Sequence, residues 1–324
     1  MLRPPSLLHA SLSAQTITLP SGAPHPPLGF GTYKLGVIPA SAAGAAASTA
    51  SPGDAQAVVA TALKAGYRFL DCAQFYANEP AVGRAIAGSG VGRGELFLAS
   101  KVWTDTVEKG PDAVRAQVRQ CLRDLQTDYL DLVCVHWPVP GLHVAAYQAL
   151  QELHAAGLVR DLGVSNYAVE DYEELVGDGG TTVPVAVNQI EINPFLYRRE
   201  TIEYFQSKGV VLQSYRSLRD GKEFGNPTLL RVASKHGRSA AQVLGRWCVQ
   251  KGAVYIPKSA REERMRENAD VLDWELDGED MELLDGLTTE AAKRKFLDSY
   301  RIGIVRDTSL EGTQVGQERV ITVD

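Results

Sequence analysis

Short, almost uninterrupted apolar runs recur along this chain, and stretches of helical periodicity separate them. The runs are LGFGTY (28–33), RFLDCA (68–73), LFLASKVW (96–103), DLVCVHW (131–137), DLGVSNY (161–167), VAVNQIE (185–191), VVLQSYR (210–216) and AVYIPKS (253–259). A strand that is apolar at every position must be buried on both faces, which is the condition of a parallel sheet covered by helices. Residues 54–66 open on an Asp cap and close on Gly66; 110–126 carry Pro near the start and an apolar stripe; 143–157 end on glycine. These are start and stop signals for helices. Eight strands alternating with helices predict a (β/α)8 TIM barrel, with a doubly wound open sheet as the competing arrangement. Two helical patterns between strands seven and eight imply an extra helix there.

The flanks are expected to differ. Residues 1–15 carry no strong targeting signal and are expected to be disordered. QTITLPSGAPHPPLGFG reads as an N-terminal β-hairpin opening a single barrel domain over 16–287. Residues 37–53 are Ala/Ser/Gly-rich and read as a flexible loop, and residues 288–324 form a C-terminal tail with two β-like pieces, RIGIV and RVITV. A tail of that length is ample to return to the opposite barrel face and rim a pocket there.

Composition narrows the function class. The net charge of −6 gives no sign of a nucleic-acid surface, and no apolar run approaches a membrane span. Four scattered cysteines without metal-ligand spacing read as reduced thiols in the cytoplasm, and no metal site is expected.

Polar residues collect at the C-terminal ends of the strands: Asp71, Lys101, His136, Ser165 and Asn166, Asn188, Gln189 and Glu191, Tyr215, then Lys258 and Ser259. In a barrel those ends share the face on which barrel enzymes build their sites. Each residue alone has a bland reading as a cap, a loop anchor or a satisfied core group. Together they are harder to explain so, because buried Asp and Lys are costly unless paired. Asp71, Tyr76, Lys101 and His136 supply a carboxylate, a phenol, an ammonium and an imidazole. An ammonium beside a phenol favours proton release, and a neutral imidazole can orient a carbonyl oxygen. The set suits reduction of a carbonyl by hydride. A glycine-rich run at 88–94 precedes a strand rather than following one, so it does not form a dinucleotide fingerprint.

LGFGTYKLG, FLDCAQFYANE, ASKVW, VHWP, GVSNY, NQIEINP, IPKSA and RENADVLDWEL together resemble the aldo-keto reductases, from about residue 16 to 287. The resemblance implies a (β/α)8 barrel that binds NADP(H) and uses Asp71, Tyr76, Lys101 and His136, with Tyr76 as proton donor. It implies that Ser165, Asn166 and Gln189 hold the nicotinamide carboxamide, that Tyr215 stacks on the ring, and that Thr32, Tyr33 and Lys34 lie at the cofactor's inner end. Lys258, Ser259 and Arg264 would surround a phosphate, with Glu267 and Asn268 near the adenine; Glu262 and Glu263 stand close by. Arg216, Ser217 and Leu218 occupy the loop expected to wrap the pyrophosphate, where the family usually has Ser-Pro-Leu after the tyrosine. Tyr33, Phe75, Trp103 and Trp137 are candidates for an apolar substrate pocket, although aromatics are also ordinary core filler. The expected activity is NADPH-dependent reduction of aldehydes or ketones by a monomer or weak dimer. The alternatives are a cofactor-binding regulatory subunit on the same fold and a Schiff-base enzyme using Lys101 as nucleophile.

Overall fold

The computed structural model describes residues 16–36, 54–177 and 181–324. The N-terminal segment 1–15 and the loop 37–53 singled out above lie outside the described residues.

A two-stranded antiparallel hairpin, β1 (Ile17–Thr18) and β2 (Pro24–His25), comes first. Eight parallel strands follow: β3 (Phe30–Gly31), β4 (Phe69–Asp71), β5 (Phe97–Val102), β6 (Leu130–Val135), β7 (Val159–Ser165), β8 (Val185–Glu191), β9 (Val211–Tyr215) and β10 (Val254–Tyr255). They pair in chain order. The ends of the sheet meet where Gly29 N–H donates to Tyr255 O at 2.8 Å and Tyr255 N–H donates to Pro27 O at 2.9 Å, which closes the barrel. Sequential order, parallel pairing and an intervening helix in each unit are the (β/α)8 arrangement, and the open doubly wound sheet is excluded. Between β9 and β10 stand the two helices Pro227–His236 and Ala240–Gln250.

Two apolar shells follow from strands buried on both faces. One lies between barrel and helices; the other fills the barrel and includes Phe69, Phe97, Leu132, Val187 and Ile256. The hairpin plugs the N-terminal opening. Its His25 is fully buried against Phe69 and Phe97, with ring centroids 4.9 and 4.2 Å away. The Nδ1 of His25 donates to Pro26 O and its Nε2 accepts from Gln213 Nε2 at 2.8 Å. Burial pushes its pKa down to about 4.

The tail departs from the β-like reading of RIGIV and RVITV. Residues Glu290–Gly303 form a helix, which takes in the first three residues of RIGIV, and residues 319–324 run without regular structure. Phe296, Tyr300 and Gly303 recur at helical spacing on its inner face. A Cβ at Gly303 would stand 2.5 Å from the Trp137 ring, so the glycine is required for this approach. The tail then passes β5, where Trp103 Nε1 donates to Asp307 Oδ2 at 2.7 Å, and returns to the helix Val169–Gly177. There the Arg319 guanidinium meets Asp171 at 2.6 Å and Glu174 at 2.7 Å, and Tyr300 Oη donates to Asp171 at 2.5 Å. The segment therefore crosses the C-terminal face of the barrel from the β5 side to the β7 side.

Candidate active site

Asp71 is the last residue of β4, and Lys101 lies one residue before the end of β5. Tyr76 follows in the short 3-10 turn Gln74–Tyr76, and His136 directly follows β6. Parallel register aims all four into one space. Lys101 Nζ donates to Asp71 Oδ1 at 2.6 Å, to Cys72 O at 2.9 Å and to Tyr76 Oη at 3.2 Å. Lys101 is 1% exposed, so the ion pair is desolvated. Burial alone would lower its pKa, but Asp71 and the Tyr76 oxygen raise it, and the ammonium stays charged.

Burial drives the pKa of Tyr76 upward, and Lys101 opposes burial without overcoming it. From residue types alone, the neighbouring ammonium predicts a net downward pull. The physical reason for the difference is desolvation of the phenolate in a site walled by rings. Tyr76 is thus a protonated phenol whose oxygen accepts a hydrogen bond from the Lys101 ammonium. The His136 pKa is held well below its ordinary value, first by burial and then by the charge of Lys101, so the imidazole is neutral. Its Nδ1 is buried without a partner among the described residues.

An aromatic wall surrounds these groups. Phe75 stacks on Trp103 with centroids 3.8 Å apart, Trp103 stands edge-on to His136 at 4.8 Å, and Tyr33 lies 5.1 Å from Tyr76. Trp137 is set further out, against Gly303 and Tyr300 of the tail. Gln74, which sequence reasoning passed over, fixes the wall. Its Oε1 accepts from Trp103 N–H at 2.9 Å and its Nε2 donates to Thr106 at 2.8 Å. Asn78 performs a similar task for the loop after β3, donating to Thr32 O and Leu35 O. The only sequence signal for either was its neighbourhood to Tyr76.

Beside the tetrad lies a second polar cluster. Ser165 Oγ donates to Gln189 O, Asn166 Nδ2 to His136 O at 3.0 Å, and Tyr215 Oη to Asn166 Oδ1 at 2.6 Å. Gln189 Nε2 donates to Asp71 Oδ1 at 2.8 Å, which couples this cluster to the lysine. Thr32 Oγ1 donates to Asp71 O at 2.8 Å. One hydroxyl, two carboxamides and an adjoining phenol ring are a donor and acceptor set that fits a nicotinamide carboxamide.

The loop after β9 is built around Glu191 at the end of β8. Arg219 Nη1 reaches Glu191 at 2.9 Å and Arg216 Nη1 at 3.4 Å. Arg216, Arg219 and Asp220 all hold positive φ (50°, 50° and 58°), and so do Lys34 at 58° and Asn166 at 61°. Strained backbone gathered at strand ends on one face is a feature of functional loops. Ser217 is buried with its hydroxyl on Ser214, and Leu218 packs on the core. Lys258 and Arg264 are exposed, Ser259 accepts from Arg261 N–H, and Asn268 is buried within the helix Glu262–Ala269 that also carries Glu267. Glu262 is engaged by Arg266 at 2.7 Å rather than by Lys258 or Arg264. Arg216 is thus tied to Glu191, whereas Lys258 and Arg264 stand exposed.

Comparison with known proteins points to one family. The aldo/keto reductase family model matches residues 27–289. A glyoxal reductase of Bacillus subtilis (strain 168) is 38% identical over 275 residues, covering 85% of this chain and 93% of that protein. A methylglyoxal reductase of Salmonella typhimurium is 39% identical over 227 residues, 69% of this chain and 84% of the relative. Among solved structures, an aldo-keto reductase of Bombyx mori in complex with NADP superposes with a TM-score of 0.75 at 29% identity, covering 85% and 92% of the two chains.

Proposed function

Because the chain belongs to the aldo/keto reductase family, we propose that it is an NADPH-dependent reductase converting aldehydes or ketones to alcohols. The observation that carries this reading is the contact of Lys101 Nζ with both Asp71 and Tyr76 beside a neutral His136. The relatives named for glyoxal and methylglyoxal reduction and the neighbour holding NADP support it.

When bound, the cofactor supplies the hydride. The chain's own residues then have three tasks. His136 is neutral and can donate a hydrogen bond to the carbonyl oxygen, fixing its position above Tyr76. Negative charge grows on that oxygen as the carbonyl carbon is reduced, and an alkoxide is a far stronger base than a phenolate. Tyr76 transfers its proton to that oxygen, and Lys101 stabilises the phenolate left behind. Asp71 keeps the ammonium charged and aimed. The aromatic wall excludes water, which strengthens each of these interactions.

Ser165, Asn166 and Gln189 are assigned to the nicotinamide carboxamide and Tyr215 to the ring face, with Thr32, Tyr33 and Lys34 at the inner end. Arg216, Ser217 and Leu218 are assigned to the pyrophosphate, and Lys258, Ser259, Arg264, Glu267 and Asn268 to the phosphorylated adenosine. Tyr33, Phe75, Trp103 and Trp137, with the tail beyond them, are assigned to the carbonyl pocket. A Schiff-base role for Lys101 is disfavoured, because a buried lysine held charged by Asp71 is a poor nucleophile. All four cysteines are buried and free, in keeping with a cytoplasmic protein. Among the described residues no helix is long and apolar enough to cross a membrane. The test is turnover of a panel of small aldehydes with NADPH. Absence of turnover for every member would favour the regulatory-subunit alternative.

A further inference from the structure

Arg198 closes the turn between β8 and the helix Arg199–Ser207, on the C-terminal face of the barrel, and is 2% exposed. Its Nε and Nη2 are buried and have no hydrogen-bond partner among the described residues. The guanidinium lies over the ring of Phe296, 4.2 Å from the centroid, a contact that attracts the cation but accepts no directed hydrogen bond from its edge. The two carboxylates whose charge reaches it are those of Asp324 and Glu191. Both are committed elsewhere. Asp324 accepts from the N–H groups of Glu200 and Thr201 and from the Thr201 hydroxyl at 2.6 Å. Glu191 accepts from Arg219, Arg216 and Asn193.

A buried charge without an acceptor is among the costliest features a fold can carry, and truncating one member of such a pair shows it. Here the acceptor is missing among the described residues. The third group whose field reaches Arg198 is Tyr215, assigned above to the nicotinamide. Arg198 also sits on the inner side of the helix Glu290–Gly303, whose Phe296 and Tyr300 lead from it toward Trp137. A relay of ring contacts, Arg198 to Phe296 at 4.2 Å, Phe296 to Tyr300 at 6.3 Å and Tyr300 to Trp137 at 6.3 Å, thus runs from the unpaired cation to the outer wall of the pocket assigned to the carbonyl compound.

We infer that Arg198 is an anion subsite for substrate: its free N–H groups receive the carboxylate of a short oxo-acid, which the protein prefers over a neutral carbonyl compound of equal size. The planar fork of a guanidinium matches two carboxylate oxygens with two parallel bonds. The carboxylate enters beside the Phe296 ring, which covers the guanidinium. This inference rests on the reductase reading.

The experiment compares 4-oxobutanoate with pentanal, an aldehyde of similar length without the charge. Wild-type protein, Arg198→Met and Arg198→Lys are assayed with each, using NADPH. Wild type is expected to favour 4-oxobutanoate through a lower KM. Arg198→Met, which keeps an apolar stem against Phe296, is expected to raise that KM by about tenfold or more, with kcat and the pentanal constants changing by about twofold at most. Arg198→Lys, with a point charge in place of a fork, is expected to recover part of the loss. Equal effects of Arg198→Met on both aldehydes, or no preference in wild type, would overturn the subsite. If neither aldehyde is reduced, the reductase reading fails, and succinate decides the subsite separately. A rise in melting temperature with succinate in wild type but not in Arg198→Met keeps an anion site there; equal shifts remove it.

Discussion

The indole N–H of Trp103 donates to the carboxylate of Asp307 at 2.7 Å, joining the end of β5 to a residue 204 positions further along the chain. The neighbouring Thr104 hydroxyl meets the carbonyl of Arg306 at the same seam. Trp103 also stacks on Phe75 and abuts His136, so the tail is fastened to the wall of the proposed carbonyl pocket. Asp307→Ala leaves a buried indole N–H without its acceptor, at a cost of about 1–3 kcal/mol. The ranking of small against bulky aldehydes by kcat/KM is expected to change, and the NADPH dissociation constant to stay within about threefold. Unchanged ranking would mean that the seam holds the fold without shaping the pocket.

Tyr76→Phe keeps the ring packed against Tyr33 and removes the proton that the phenol would give. Turnover is expected to fall by about 10²–10⁴ while NADPH binding, read by fluorescence titration, is retained. Lys101→Met is expected to depress turnover as strongly and, unlike Tyr76→Phe, to lower stability by about 3–5 kcal/mol, because Asp71 loses the partner of a desolvated pair. A Tyr76→Phe variant with near wild-type turnover would assign the proton to another group.

How far the sequence discloses this site depends on the range of the interactions involved. The placement of Asp71, Lys101, His136, Ser165 and Gln189 was legible because each ends an apolar strand, and parallel strands share one open face. The strand VAVNQIE ends where its pattern says, at Glu191. The tail was not legible. RIGIV alternates like a strand, yet Gly303 lies in a helix, because the bulk of Trp137 beneath it admits a backbone without a Cβ and the helix binds Asp171 through Tyr300. Those partners lie far away in the chain, and no local pattern announces them. Arg198 was likewise silent: in RRE it reads as an exposed helix start, and burial comes from Phe296 closing over it.

Cofactor choice is tested at Lys258 and Arg264. Both side chains are exposed, so each charge-assisted bond to a phosphate would form near water and contribute at the weaker end of its range. Lys258→Met and Arg264→Met are each expected to weaken NADPH by roughly fivefold to tenfold and to leave NADH within about twofold. Equal weakening of both cofactors would show that these side chains serve the shared part of the adenosine.

The barrel plug carries a pH-dependent stability that can be read apart from activity. Burial holds the pKa of His25 at about 4, whereas the unfolded chain presents an ordinary imidazole near ~6.5. Above the unfolded value the ring is neutral in both states and contributes nothing to the pH dependence. Below it the unfolded chain takes up a proton that the folded ring refuses, so stability is lost as pH falls from about 6.5 to about 4. Between about pH 7 and 4.5 this single ring should remove roughly 2–3 kcal/mol. His25→Asn places an amide N–H near the position from which Nδ1 meets Pro26 O and gives up the acceptor for Gln213. It is expected to be less stable than wild type at neutral pH and to lose about 2–3 kcal/mol less on acidification, measured by urea unfolding at the two pH values. Carboxylates titrating over the same range act on both proteins alike, so the difference between the two curves isolates the plug. Parallel curves would mean that His25 is hydrated enough to take up its proton while folded.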